Sequence, residues 1–132
     1  EYHSGIGLLE NEPAFLMEQY NPSFDILADF YPVKNGDIGM HLLVAPAETH
    51  IPHFTWHVFS TVMNFLFEDQ TVKRVVVEPD VQNNKIHQLN KKAGFEYVKE
   101  IQLPNKVAAL AFCTQAKFQE AFDFYQQGHL GA

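Results

Sequence analysis

Two stretches carry side chains able to do chemistry. Glu78-Pro79-Asp80-Val81-Gln82-Asn83 sets two carboxylates and a carboxamide close together, types that move protons, hold cations or accept hydrogen bonds. His41 lies in the apolar run GMHLLVA of residues 39–45. Its imidazole titrates near neutrality, and by residue type alone it reads as a strand histidine hydrogen-bonded into the core. Asp80 by type reads as a turn or helix-cap carboxylate, and Glu78 as a supporting or solvated charge. His50, His53 and His57 have a spacing that suggests metal ligands on a helix. Pro52 interrupts a regular helix through His50 and no fourth ligand accompanies the three, so no metal is expected.

The elements that position these residues follow from periodicity. Val75, Val76 and Val77 are consecutive β-branched residues and predict a buried strand. Ile86, Leu89 and Ala93 recur at helical spacing, with Gly94 as the stop. Residues 39–45 predict a strand closed by Pro46. Thr55, or a residue just before it, then caps a helix with Trp56, Phe59, Met63 and Leu66 on one face and Val58, Val62 and Phe65 widening it. A nearly all-apolar helix of this kind should be sandwiched. Strand, helix, strand, helix from 39 to 93 implies a parallel pair with a right-handed crossover. Residues 6–9 with 14–20, and 96–103 with 106–113, read as hairpins, the second turning at Pro104-Asn105. Residues 21–37 form a loop whose apolar residues pack it down. Residues 115–127 close the chain as an amphipathic helix carrying Phe118, Ala121, Phe122 and Tyr125.

The fold class is thus α/β (α+β), with antiparallel flanks, one central parallel pair and a single domain over residues 1–132. In such sheets ligands gather at the carboxyl ends of parallel strands, which here are Val44-Ala45-Pro46 and Glu78-Pro79-Asp80.

Composition narrows the partners. With 132 residues, 46% hydrophobic and 14% aromatic content, the chain can bury one core, and its 12 Phe suggest a well-filled one or an additional apolar face. A net charge of −7 leaves no basic footprint, so neither nucleic acid nor an anionic membrane is expected as a partner. A single cysteine, Cys113, allows no intrachain disulfide and suits a reducing compartment. No apolar stretch approaches the roughly 20 residues of a membrane span, so a cytoplasmic protein is expected.

The order of GDIGMHLLVAP, an apolar helix ending NFLFED, RVVVEPDVQNNKIHQLNKKAGF and LPNKVAAL resembles the acyl-CoA N-acyltransferases of the GNAT superfamily. Within it, the resemblance is to the subgroup that acylates hydroxylamines such as N6-hydroxylysine in siderophore biosynthesis. It covers roughly residues 5–113. It implies two central parallel strands that splay apart, with the pantetheine arm of acetyl-CoA, or another acyl-CoA, pairing in the V against the backbone of Leu42, Leu43 and Val44. It also implies His41 as base or acceptor anchor with Asp80 as its partner, Asn83 as a pantetheine contact opening the next helix, and His53, Phe54 and Thr55 at the coenzyme phosphates. The acceptor would be a small-molecule amine or hydroxylamine.

Two departures from the family pattern shape the rival reading. The segment PAETHIPHFTWH holds neither glycine nor arginine, whereas the family cradles pyrophosphate with a Gly-rich loop. Family members also carry a strand and two helices before the hairpin that begins near Ile6. The chain is then either part of a longer product or a reduced relative whose exposed edge takes a homodimer partner or an upstream domain. The alternative is a degenerate GNAT-fold domain that binds no coenzyme and serves as an interaction or dimerisation module.

Overall fold

A computed structural model describes residues 2–9, 12–44 and 53–128. Strands β1 (Tyr2–Leu9) and β2 (Glu12–Tyr20) come first, then two short 3-10 turns at Pro22–Phe24 and Ile26–Asp29. They are followed by β3 (Asp37–Val44), α1 (Phe54–Glu68), β4 (Arg74–Val77), α2 (Asn84–Lys92), β5 (Glu96–Leu103), β6 (Lys106–Thr114) and α3 (Gln115–Gln126). The six strands form one sheet in the order β1-β2-β3-β4-β6-β5. Only β3 and β4 run parallel. Both expected hairpins and the central crossover are present.

Each face of the sheet has its own core. On one, Phe59, Met63 and Leu66 of α1 pack with Val75, Val77, Phe95 and Phe118. On the other, Tyr20, Leu27 and Tyr31 pack with Val76 and Leu110. Val75, Val76 and Val77 are all buried because β4 is central and covered on both sides. Helix α1 packs against both the sheet core and α3, with Trp56 edge-on to Tyr125 at 5.2 Å and Phe67 stacked on Phe118 at 6.0 Å. Phe65 is an exception to the expected apolar face: it is 56% exposed, because it points away from both neighbours. The loop of residues 21–36 packs down through Pro22, Leu27 and Tyr31, while Phe24 stays in solvent.

Local chemistry sets the helix ends. The Asn83 side chain accepts from Ile86 N and caps α2, and Thr114 does the same for α3 by accepting from Lys117 N. Gly94, at φ +95°, ends α2; a Cβ there would sit 2.7 Å from the Lys117 carbonyl oxygen. Helix α1 starts differently. Thr55 lies inside its first turn, and the cap residue is His53 at φ 58°, with no side-chain cap bond. A non-glycine residue in this region is uncommon, though histidine is among the types that enter it.

Candidate active site

The parallel pair opens from its middle. Pairing runs through Asp37↔Arg74, Ile38↔Val75 and Gly39↔Val76, then stops. Beyond that point β3 stays with β2 as far as Phe15↔Val44. The continuation of β4 stays instead with β6: Ala109 N donates to Pro79 O at 2.8 Å, Val81 N donates to Val107 O at 3.0 Å, and Asp80 bridges Ala108. Each strand follows a different neighbour, so the two diverge. Residues 40–44 of β3 therefore have, among the described residues, no strand partner on the side facing β4. Alternate residues of such an edge turn N–H and C=O groups into the gap.

A cavity of about 250 Å³ fills the divergence, bordered by Met40, His41 and Leu42 from β3, Glu78 and Asp80 after β4, and Asn90 from α2. Asn83 and Lys106 also line it. Strand alternation sorts the walls. Met40 and Leu42 point toward the α1 core, whereas His41 and Leu43 share the opposite face with Glu18 and Leu16 across the β2 register.

His41 meets a carboxylate, but not the expected one. Its Nε2 makes a short hydrogen bond with Glu78 Oε1, and Glu78 Oε2 accepts from the Tyr20 hydroxyl at 2.6 Å. Glu78 is 7% exposed, so it belongs neither to solvent nor to a passive rim. Asp80, expected to pair with His41, uses Oδ1 to accept from Gln82 N at 2.9 Å and closes its own turn. The reason is strand direction: Glu78 is the first residue past β4 and still points across the gap, while by Asp80 the chain has bent away along β6. Tyr20, Lys106 and Asn90 were not legible as site residues, and Glu78 was read only as a supporting or solvated charge. Tyr20 is brought in by sheet register, and Lys106 by a hairpin.

Electrostatics follow the geometry. The Glu78 hydrogen bond, against the opposing effect of burial, raises the His41 pKa above its ordinary value of 6.5, with Lys106 lowering it and Glu18 raising it further. A neutral His41 that donates from Nε2 to Glu78 carries its basic lone pair on Nδ1. Nδ1 lies 3.8 Å from Glu18 Oε1, and the His41 side chain is 42% exposed.

Of the residues expected at the coenzyme, Leu42, Leu43 and Val44 lie on the open stretch of β3, and Asn83 borders the cavity while capping α2. His53 caps α1, and Phe54 and Thr55 form its first turn. Ala45, Pro46, His50 and Pro52 lie outside the described residues, so the segment expected at the coenzyme phosphates is described only from His53 onward. Among the described residues no three metal-ligand side chains converge.

Comparisons with known proteins agree on the architecture. Residues 1–103 match the family described as acetyltransferase (GNAT) domain. N-hydroxyputrescine acetyltransferase from Acinetobacter baumannii is 28% identical over 124 residues, which is 93% of this chain and 59% of that protein. The crystal structure of an uncharacterized protein from Bacillus halodurans superposes with a TM-score of 0.84 at 31% identity, covering 92% of this chain and 63% of that one. The structure of an aminoglycoside acetyltransferase in complex with coenzyme A and kanamycin superposes at 0.76 and 21% identity, covering 90% of this chain and 70% of that one. This chain thus spans roughly six-tenths of the length of the first two.

Proposed function

The chain belongs to the acetyltransferase (GNAT) domain family, and on that premise we propose that its cleft transfers an acyl group, acetyl foremost, from acyl-CoA to the nitrogen of an amine or hydroxylamine in siderophore assembly. The observation that carries this reading is the end of β3–β4 pairing at Gly39↔Val76, with His41 and Glu78 at the mouth of the gap.

The residues present fit the coenzyme. A pantetheine arm is an extended chain of amides, and the unpaired side of residues 40–44 offers it a strand edge. The cap residue of α1, His53, makes no side-chain cap bond, so among the described residues the N–H groups of the first turn, Phe54 and Thr55 included, remain to meet phosphate. The coenzyme supplies the acyl group as a thioester.

His41 would act on the acceptor. Its Nδ1, made more basic by Glu78 on the other nitrogen, takes the proton that the attacking nitrogen must shed. A hydroxylamine nitrogen is weakly basic and arrives unprotonated at neutral pH, so this base needs only modest strength. Glu78, held by Tyr20, keeps the ring in one orientation. Glu18 offers a carboxylate to a cationic acceptor, in keeping with the acidic chain and with an N-hydroxy diamine as the relative's substrate. Asp80 forms the wall of the mouth. The face beside His41 also bears Leu16 and Leu43, 38% and 68% exposed, which the acceptor or a further protein surface would cover. Lone, buried Cys113 suits a cytoplasmic setting, and among the described residues no helix is long and apolar enough to cross a membrane.

The test is turnover of acetyl-CoA with N-hydroxyputrescine, N6-hydroxylysine and putrescine. Acetylation of a hydroxylamine that is abolished in His41→Ala supports the reading. Absence of both coenzyme binding and turnover overturns it in favour of the interaction module.

A further inference from the structure

Asn90 is 1% exposed and lines the cleft, yet its Oδ1 is a buried side-chain acceptor with no hydrogen-bond partner. Native structures satisfy nearly all such atoms, so one left open beside a cavity points to a ligand. Its orientation is fixed from behind. The Asp80 backbone carbonyl, an acceptor only, lies 2.9 Å from His87 Nε2, which must therefore carry a proton. With the ring neutral, Nδ1 is bare and accepts from the Tyr97 hydroxyl at 2.6 Å. Having spent its proton, the Tyr97 oxygen can only accept, and it does so from Asn90 Nδ2 at 3.0 Å. Reversing the Asn90 amide would set two acceptors against each other. The relay from Asp80 through His87 and Tyr97 thus leaves Asn90, a residue lining the cleft, with an unpartnered acceptor and not an unpartnered donor.

The fold indicates whose donor this is. Helix α2 packs by Ile86, Leu89 and Ala93 on the core that also holds α1, Met40 and Leu42. His41 reaches the cleft from the opposite face, alongside Tyr20. An acceptor molecule approaching His41 arrives on that second face, so the occupant nearer Asn90 is the arm lying in the gap. Resting on the coenzyme reading above, we propose that Asn90 Oδ1 accepts a hydrogen bond from one amide N–H of the pantetheine arm, with His87 and Tyr97 as positioning residues. Buried and aligned in advance, the acceptor recognises an amide and rejects an isosteric group that lacks the proton.

The experiment is calorimetric titration of coenzyme A and its two ester analogues, in each of which oxygen replaces one amide N–H, into the wild-type chain and into Asn90→Leu and Tyr97→Phe. Wild type should bind one of the two ester analogues about tenfold more weakly than coenzyme A. In Asn90→Leu that preference should vanish, because neither ligand then finds the acceptor. In Tyr97→Phe, which frees the amide to turn while keeping the ring, the preference should shrink to a few-fold. A preference that persists unchanged in both variants, or is absent in wild type that binds coenzyme A, overturns the Asn90 assignment and leaves the transferase reading standing. No binding of coenzyme A by wild type overturns both.

Discussion

The Tyr20 hydroxyl donates to Glu78 Oε2 across 58 residues of chain, and the other oxygen of the same carboxylate holds His41. One buried acid thus joins the edge of β2 to the start of the turn after β4, spanning the parallel pair where it opens. Tyr20 itself can lie there because Gly39 faces it across the β2–β3 register. The site is built of a ring, a carboxylate and an imidazole that no single segment of the chain contains.

His41→Ala should lower kcat on a hydroxylamine acceptor by about 10²-fold or more, the scale of a lost general base, while coenzyme affinity changes little. Asp80→Asn should cost far less than Glu78→Gln, since Asp80 does not touch His41. Steady-state kinetics with coenzyme titrations on the same variants check both; equal losses at 78 and 80 would contradict the assignment.

The pH dependence has a definite sign. His41 must be neutral to accept a proton, and Glu78 raises its pKa above 6.5, so kcat/KM should fall on the acid side with an apparent pKa above that value. Glu78→Gln removes the anion while leaving the ring half-buried, so the limb should move to lower pH even as the maximum drops. The same linkage acts on stability: the pair's contribution is complete below pH 6.5 and is lost as pH rises through the folded-state pKa. A pH–rate profile of each protein, with NMR titration of His41, decides this.

Gly39→Ala should damage the site without touching it. A Cβ at this position would overlap the Tyr20 ring, and the buried ring has no room to retreat. We expect a thermally weaker protein, by about 1–3 kcal/mol as for overpacked cores. The His41 pKa should also fall, as Glu78 loses its Tyr20 anchor. Melting curves and the His41 NMR titration together separate this from a simple packing defect, which would leave the pKa unchanged.

Asp37 and Arg74 pair bidentately at 2.8 and 2.7 Å, with the Arg74 guanidinium also stacked 4.1 Å from the Phe112 ring centroid. Burial pushes the Asp37 pKa up, but the Arg74 hydrogen bonds and charge, with Lys34 N and Tyr31, bring it below 3.8. Its contribution is therefore whole above pH 3.8 and is lost as pH falls through the depressed value. Asp37→Asn should cost about 2 kcal/mol at neutral pH, because Arg74 is left partly buried and unpaired. Chemical denaturation at pH 7 and near pH 3 should show the variant's deficit shrinking in acid.

Burial raises the Cys113 thiol to about 12, with the Glu96 charge adding to it. The native chain should resist alkylation by iodoacetamide at pH 8, and modification should appear only with global unfolding. Mass spectrometry across a denaturant series measures this directly; rapid labelling of folded protein would contradict the burial.

What the sequence determined by itself was whatever short-range pattern controls. Three consecutive valines before EPD announced a strand buried on both faces. Ile86, Leu89 and Ala93, closed by Gly94, announced a short helix, and Pro104-Asn105 a hairpin turn. The alternation of strands and helices from 39 to 93 required a parallel pair, and the order of motifs carried the family. The strand-end rule pointed to Val44-Ala45-Pro46 and Glu78-Pro79-Asp80, because ligands meet open sheets where parallel strands end, whereas His41, Leu42 and Asn83 were named at the cleft only through the family resemblance. What only the tertiary structure decided was which side chains meet inside that cleft. The family resemblance matched His41 to Asp80, but the two-residue offset between Glu78 and Asp80 spans a bend along β6, and the bend is fixed by Val107 and Ala109, some 30 residues further on. Tyr20 entered through antiparallel register with Gly39, and Asn90 through a relay from Asp80, His87 and Tyr97. Helical and strand periodicity report which face a residue occupies. They carry no distance between faces on different elements, and hydrogen bonds near 3 Å are made or lost on that distance.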